Sequence, residues 1–233
     1  PVRALQLHGL EQWPIDYDEV AAAGVAELER GFDNLDAHVR NLQQFGTPVV
    51  VAVNRFPDDD DDEVQAVLDH CHEDLGVRAA ESEVFAKGSD GGVALGEQVL
   101  SAVDDGDEDE FEFLYDDEAS VAAKIETIAT DIYGADGVKF TGSALDDIDR
   151  MERLGFGDQP VCMSKTFHSL SDDATEKGAP TDWELEVTEV YPSAGAGFLV
   201  ALTADALTMP GLPRRPAAAD MDIDGEGNIS GLF

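Results

Sequence analysis

The sequence predicts an α/β protein: a Rossmann-like βαβ layer with mostly parallel strands, followed by a smaller α+β part ending in hairpins. Three observations carry the prediction. Residues 49–53, VVVAV, form a short unbroken apolar run rich in β-branched side chains, as strands buried on both faces of a parallel sheet read. From there to residue 103, strand-like and helix-like stretches alternate, with crossovers of the length a right-handed βαβ unit needs. From Trp183 onward the pattern changes to two-residue alternation, the mark of a hairpin.

In order along the chain, residues 2–8 (VRALQLH) alternate and predict a strand. Residues 16–45 carry helical spacing through Val20, Ala23, Leu28, Phe32, Leu35, Val39 and Leu42, with a break expected near Gly31. Gly46 stands where a helix C-cap glycine belongs. A strand at 48–53 follows, then a helix at 61–75 closed by Gly76, a strand at 78–85, a glycine-rich loop at 86–92 and a helix at 93–103. Residues 104–110 form an acidic linker, so the domains expected are 1–105 and 111–233. In the second, a helix at 119–133 ends at Gly134. A strand at 138–140, a helix N-capped by Ser143 and running to 154, a strand at 161–163 and a long polar loop at 165–182 come next. WELEVTEVY and GFLVALTAD predict a hairpin turning at 192–197. Residues 209–213 (MPGLP) hold too much proline for regular structure, and a small hairpin is expected at 221–232, turning at 224–227.

The charge balance is extreme. Asp and Glu number 51 against 14 Lys and Arg, a formal net charge of -37. Nucleic acid is disfavoured as a partner, because binding it takes a basic surface. The apolar periodicity persists throughout, so the charge reads as the coat of a folded protein rather than as disorder. Self-repulsion on this scale calls for salt screening, which points to a salt-accumulating, halophilic cytoplasm. Only five lysines occur. No apolar run approaches the roughly 18 residues of a membrane helix and no signal peptide opens the chain, so a cytoplasmic location is expected. Beginning at Pro1 inside strand-like sequence, the chain reads as part of a longer one. Cys71 and Cys162 are expected as buried free thiols.

The first candidate site lies where the 48–53 strand ends. Ligands in open α/β sheets bind beyond the carboxyl ends of the strands, and there the sequence sets Asn54, Arg55, Phe56 and Pro57. Arg55 suits either a polar substrate edge or a surface ion pair. The loop holding Lys87, Gly88 and Gly91 suits either an anion, whose charge bare backbone N–H groups at a helix start would meet, or an ordinary turn. Aspartates 58–62 read as the first turn of a helix, facing its positive dipole end, rather than as a cation site. His70-Cys71-His72 carries the right residue types for a metal, but adjacent helical residues point in different directions. Residues 193–197 (SAGAG) lie between strands and read as a tight turn, not a dinucleotide loop. Asp222, Asp224, Glu226 and Asn228 imitate the start of an EF-hand, yet Phe233 stands at the closing position. No metal site is expected. No nucleophile motif occurs, His168 reads as a loop residue, and G-x-x-x-x-G-K-[ST] is missing, since no Gly-Lys pair exists in the chain.

Ten ordered segments then identify a family. VRALQLHG, RGFDNLDAHVRNLQQFGTPVVVAVNRFP, SEVFAKGSDGG, FLYD, IATDIYGADGVKF, PVCMSKT, LSDD, PSAGAGF, TMPGLPRRPAA and ISGLF together resemble formate–tetrahydrofolate ligase, 10-formyltetrahydrofolate synthetase, across essentially the whole chain. The resemblance implies the C-terminal part of an ATP-dependent ligase. That enzyme makes 10-formyltetrahydrofolate from formate and tetrahydrofolate by way of formyl phosphate. It further implies ATP with Mg2+ as a substrate, support by a monovalent cation, a homotetramer, and a phosphate loop in an N-terminal ATP-binding portion, so that no catalytic residue is expected here. The folate ring is implied to lie between two aromatic side chains: Phe56 of the NRFP motif, with Pro57 beside it, and Phe85 of SEVFAKG. Three residues depart from the family pattern: Gln6 stands where Lys is usual, Leu10 where Gly is usual and Phe85 where Trp is usual. Two other readings stand beside this one. The chain is a folded but inactive module needing a separate ATP-binding half, or it is a diverged folate-binding protein.

Overall fold

A computed structural model describes residues 1–106, 111–203, 214–219, 221–225 and 229–231. The chain opens not with a strand but with a helix, α1 (Val2–Leu10), which buries Val2, Gln6 and Gly9. The alternation of VRALQLH misled because Arg, Ala, Leu and Gln are good helix formers, and spacings of four and three put the buried positions on one helical face. Three helices follow: α2 (Tyr17–Ala22), α3 (Val25–Arg30) and α4 (Phe32–Gln43). The break predicted at Gly31 is present, and a second falls at Ala23-Gly24. Gly31 is required by packing: a Cβ there would lie 1.9 Å from the Leu5 carbonyl oxygen, and one at Gly9 would lie 1.7 Å from that of Glu27. Only glycines let α1 and α3 cross this closely.

Next come β1 (Val50–Asn54), α5 (Asp61–Asp69) continued by a π turn (His70–Asp74), and β2 (Arg78–Ser82). β1 and β2 pair in parallel, the predicted βαβ unit. β1 is less enclosed than its composition predicts: Val53 is buried but Ala52 is exposed. Its one partner among the described residues is β2. The strand expected at 78–85 stops at Ser82. Phe85 lies instead on a short helix, α6 (Val84–Lys87), followed by a 3-10 turn (Gly88–Gly92) and α7 (Val93–Asp105).

The second half contains α8 (Val121–Thr127) with a π turn (Ile128–Ile132), β3 (Gly137–Phe140), α9 (Gly142–Arg153), β4 (Val161–Ser164), β5 (Glu184–Ser193) and β6 (Phe198–Thr203). Their sheet runs β3-β5-β6-β4. The outer pairs are parallel and the central β5–β6 pair is the predicted antiparallel hairpin. α9 is capped by Thr141, whose hydroxyl accepts from Ala144 N at 3.2 Å, and not by Ser143, which sits inside the first turn. Cys162 is exposed, correcting the expectation of burial, while Cys71 is buried and both are free. β7 (Asp222–Ile223) and β8 (Ile229–Ser230) pair antiparallel as the last hairpin. The 209–213 stretch and turn residues 226 and 227 lie outside the described residues, as do 107–110 of the acidic linker.

Two apolar cores result. One joins Val2, Leu28, Val39, Val53, Val64, Val67 and Cys71. The other joins Val121, Ile125, Ala144, Ile148, Leu185, Val187 and Leu199. Polar clasps bridge them: Asn41 Nδ2 donates to Ile132 O at 2.7 Å, and Asn34 Nδ2 donates to Gly178 O at 3.0 Å.

Candidate functional site

The site grows from the register of the first sheet. Asn54 lies opposite Ser82, so β1 and β2 stop at one level and the loops that follow share a rim. Arg55 N adds a last ladder bond to Ser82 O at 3.0 Å. The chain then turns. Asp59 N donates to Phe56 O at 3.0 Å, and Phe56 N donates to Asp59 Oδ2 at 2.8 Å. Pro57 takes the second position of this four-residue turn, where its fixed φ is already suited. Asp59 is only 5% exposed, so its carboxylate is the latch of the turn.

The aspartate run divides its tasks accordingly. Asp58 meets Arg3 at 3.1 Å, Asp59 latches the turn, and Asp60 N donates to Glu63 Oε2 at 3.3 Å. Asp61, Asp62 and Glu63 occupy the first turn of α5, facing its positive dipole end as predicted. Asp61 also pairs with Arg55. Arg55 Nη1 donates to Glu81 Oε1 at 2.9 Å, and Nη2 reaches Asp59 O at 3.3 Å. The bonds to Asp61 and then Glu81 push the guanidinium pKa further up. Arg55 is therefore a strut tying the loop to β2 through these ion pairs. Asn54, half-buried, closes β1 at the rim.

Across that rim the rings of Phe56 and Phe85 stand 6.0 Å apart at 42°. Phe85 is 75% exposed and Phe56 is half-buried, so the pair lies at the surface with Phe85 as its open side. Their support is local. Lys87 pairs with Glu83 one turn away on α6. Glu83 N donates to Gly91 O at 2.9 Å, folding the 3-10 turn back against the foot of α6. A Cβ at Gly91 would lie 2.5 Å from the Glu83 carbonyl carbon and oxygen, so this approach needs glycine. Gly88 sits at φ 62, also a glycine conformation. Lys87 thus spends its charge on Glu83.

The other sequence candidates separate in space. The His70 ring stacks on Phe32 at 4.1 Å and 14°. Its Nε2 lies 2.7 Å from Asp36 Oδ1 and its Nδ1 lies 2.9 Å from Asp74 Oδ2. The thiol of Cys71 beside it is buried and its pKa is pushed up to about 11 by burial and by Asp36. Among the described residues no group of three or more His, Cys, Asp or Glu is placed to hold a metal ion. His168 packs with Trp13 at 4.8 Å and Phe167 at 3.9 Å between ring centroids. The sequence reading missed the roles of Asp59 and Glu81. The signal for Asp59 was present, since an aspartate three residues into an F-P turn can accept from the turn's first N–H. Glu81 gave none, because its role depends on the parallel register.

Gln6 also has a structural role. It is 3% exposed, and its Nε2 donates to Ala23 O at 3.1 Å and to Glu63 Oε1 at 2.7 Å. Leu10 closes α1 ahead of Glu11, which takes φ 55.

A family model described as formate–tetrahydrofolate ligase matches residues 1–233. The chain is 72% identical over 232 residues to the formate–tetrahydrofolate ligase of Haloarcula marismortui, covering all of this chain and 42% of that protein. It is 64% identical to the protein of that name from Haloquadratum walsbyi, covering 40% of it, and 47% identical to that from Symbiobacterium thermophilum, covering 41%. The chain therefore spans about 40% of the length of these relatives.

Proposed function

The chain belongs to the formate–tetrahydrofolate ligase family, and from that premise we propose that it supplies the folate-side loops of an ATP-dependent ligase. The reaction joins formate to tetrahydrofolate through formyl phosphate and yields 10-formyltetrahydrofolate. The observation that carries the reading is the pair Phe56 and Phe85, a half-buried and an exposed ring 6.0 Å apart on segments that leave neighbouring parallel strands. A flat pterin stacked between two rings needs about 3.5–4.0 Å on each side. The gap must therefore widen, and Phe85 can provide the movement because it rides a four-residue helix and is 75% exposed. Phe56 is the fixed jaw, held by the Asp59 latch and by Pro57. Asn54 offers an amide to the polar edge of the pterin, and Arg55 positions the loop from behind through Asp61 and Glu81.

Phosphoryl chemistry belongs to residues outside this chain, because no Gly-Lys pair is present to build a G-x-x-x-x-G-K-[ST] loop. ATP with Mg2+, and a monovalent cation, would act with that ATP-binding portion. The Lys87–Gly91 turn sits at the start of α7, where an anionic end of a substrate would meet backbone N–H groups if Lys87 left Glu83. We read residues 1–105 and 111–233 as two domains, each with its own core. Assembly as a homotetramer would give a use to the exposed apolar side chains of α7, among them Leu100 and Val103. The acidic coat suits a salt-rich cytoplasm, and no described helix is long and apolar enough to cross a membrane.

The test is Phe85→Trp in the full-length protein. It restores the ring usual in the family and places a fluorophore in the jaw. Tetrahydrofolate should quench the new emission saturably and bind more tightly than to the parent. Emission indifferent to tetrahydrofolate at saturating concentration would remove Phe85 from the site.

A further inference from the structure

We propose that the cleft between the two halves of the chain is a binding site for a small oxyanion, a phosphate or carboxylate group, bonded by His8 and His38 and attracted by Lys165 and Lys177. His8, Asn34 and His38 from the first half, with Tyr133, Lys165 and Thr166 from the second, line a cleft of about 290 Å3. The distribution of charge points to the ligand. The chain carries a net charge of -37 and only five lysines and five histidines, yet His8, His38, His168, Lys165 and Lys177 crowd this one region. They repel one another. After burial, Lys177 and His38 depress His8, Lys165 depresses His38, and Lys177 depresses His168.

The two ammonium groups are held by carbonyls rather than by carboxylates. Lys165 Nζ donates to Thr166 O at 3.0 Å, to Ser171 O at 3.1 Å and to Ser169 O, and stands 4.8 Å over the Tyr133 ring. Lys177 Nζ donates to His168 O at 3.1 Å and to Ala174 O, and stands 4.8 Å over the Trp13 ring. By contrast, Lys87 and Lys139 each pair with a glutamate. The carboxylates that act on the cleft lysines are Asp172 on Lys165 and Asp173 on Lys177, and both have other work. Asp172 Oδ2 accepts from Glu186 N at 2.9 Å, and Asp173 Oδ1 accepts from Thr175 N at 2.8 Å. The lysines thus contribute field rather than hydrogen bonds, and a positive field whose nearby carboxylates bond backbone N–H groups instead is one that an anion neutralises.

Donors are present as well. Gly178 N donates to His8 Nδ1 at 3.0 Å, so the neutral ring carries its proton on Nε2, leaving that N–H for a ligand. The Thr166 hydroxyl accepts from His168 N at 3.3 Å and keeps its own proton to donate. By linkage, an anion bound here raises the pKa of both imidazoles, because it favours their charged forms.

The experiment is imidazole-resolved NMR of the full chain in molar KCl, titrated with potassium phosphate and separately with potassium acetate. The expected result is saturable shifts at His8 and His38 with an upward move of the His8 pKa, while His72 stays still. Saturation by phosphate alone assigns a phosphate group, and saturation by acetate alone assigns a carboxylate. His38→Gln should weaken binding by about tenfold or more, the loss of one hydrogen bond to a charged group, with the melting temperature preserved. Shifts at His8 and His38 that never saturate, or that match those of His72, overturn the proposal. So does undiminished binding when His38→Gln and His8→Gln are both made in a chain that remains folded.

Discussion

Gln6 Nε2 lies 2.7 Å from Glu63 Oε1, joining the opening helix to the first turn of the helix that crosses from β1 to β2. Both side chains are buried, at 3% and 8% exposure. The neutral amide of Gln6 supplies the donor that the Glu63 carboxylate needs. Gln6→Ala strips that donor from a buried carboxylate and should cost about 1–3 kcal/mol of unfolding free energy in denaturant titrations. Gln6→Lys restores a donor and should recover most of that loss.

The two cysteines should separate cleanly. Cys71 is fully buried with its thiol pKa pushed up to about 11 by burial and by Asp36, whereas Cys162 is exposed. Thiolate is the reactive form, so a disulfide reagent near neutral pH should label one thiol per chain quickly. Cys162→Ser should abolish that phase. Cys71 should react only on unfolding.

His8 makes folding sensitive to mild acid. Burial first, then Lys177 and His38, push its pKa from 6.5 to about 4. Between those values the unfolded chain binds a proton that the folded chain refuses. Its contribution to stability is therefore complete above pH 6.5 and declines as the pH falls toward 4. His8→Gln should flatten that part of the stability profile relative to the parent, read as melting temperature against pH in molar KCl.

Net charge sets the salt response. With 51 acidic residues against 14 Lys and Arg, self-repulsion opposes compaction until salt screens it. The melting temperature should climb steeply from low to molar KCl, and insensitivity across that range would count against salt adaptation.

Much of this architecture was legible in the residues. The Val49–Val53 run, the Gly46 and Gly76 caps and the 183–203 alternation announced the parallel unit and the hairpin, because each rests on local preference. What escaped depends on contacts distant in sequence. The helical identity of residues 2–10 is settled by packing on α3 through Gly9 and Gly31, and two-residue alternation could not reveal that contact. Phe85 left its predicted strand because the Gly88–Gly92 turn folds back to bond Glu83 N. The pairing of Phe56 with Phe85 came from the family resemblance, and the parallel register brings the two rings to one rim. The struts Asp59, Asp61 and Glu81 around Arg55 appear only with the register in hand. So does the gathering of His8, His38 and Lys165, which stand far apart in sequence.

Steady-state kinetics of Phe56→Ala in the full-length protein decide whether Phe56 is one jaw of the proposed folate clamp. Loss of one stacking face is worth about 1–3 kcal/mol, by analogy with bases on aromatic side chains. The KM for tetrahydrofolate should therefore rise about tenfold or more, with the KM values for ATP and formate unchanged. A variant with the parent's folate KM and turnover would remove Phe56 from the folate site.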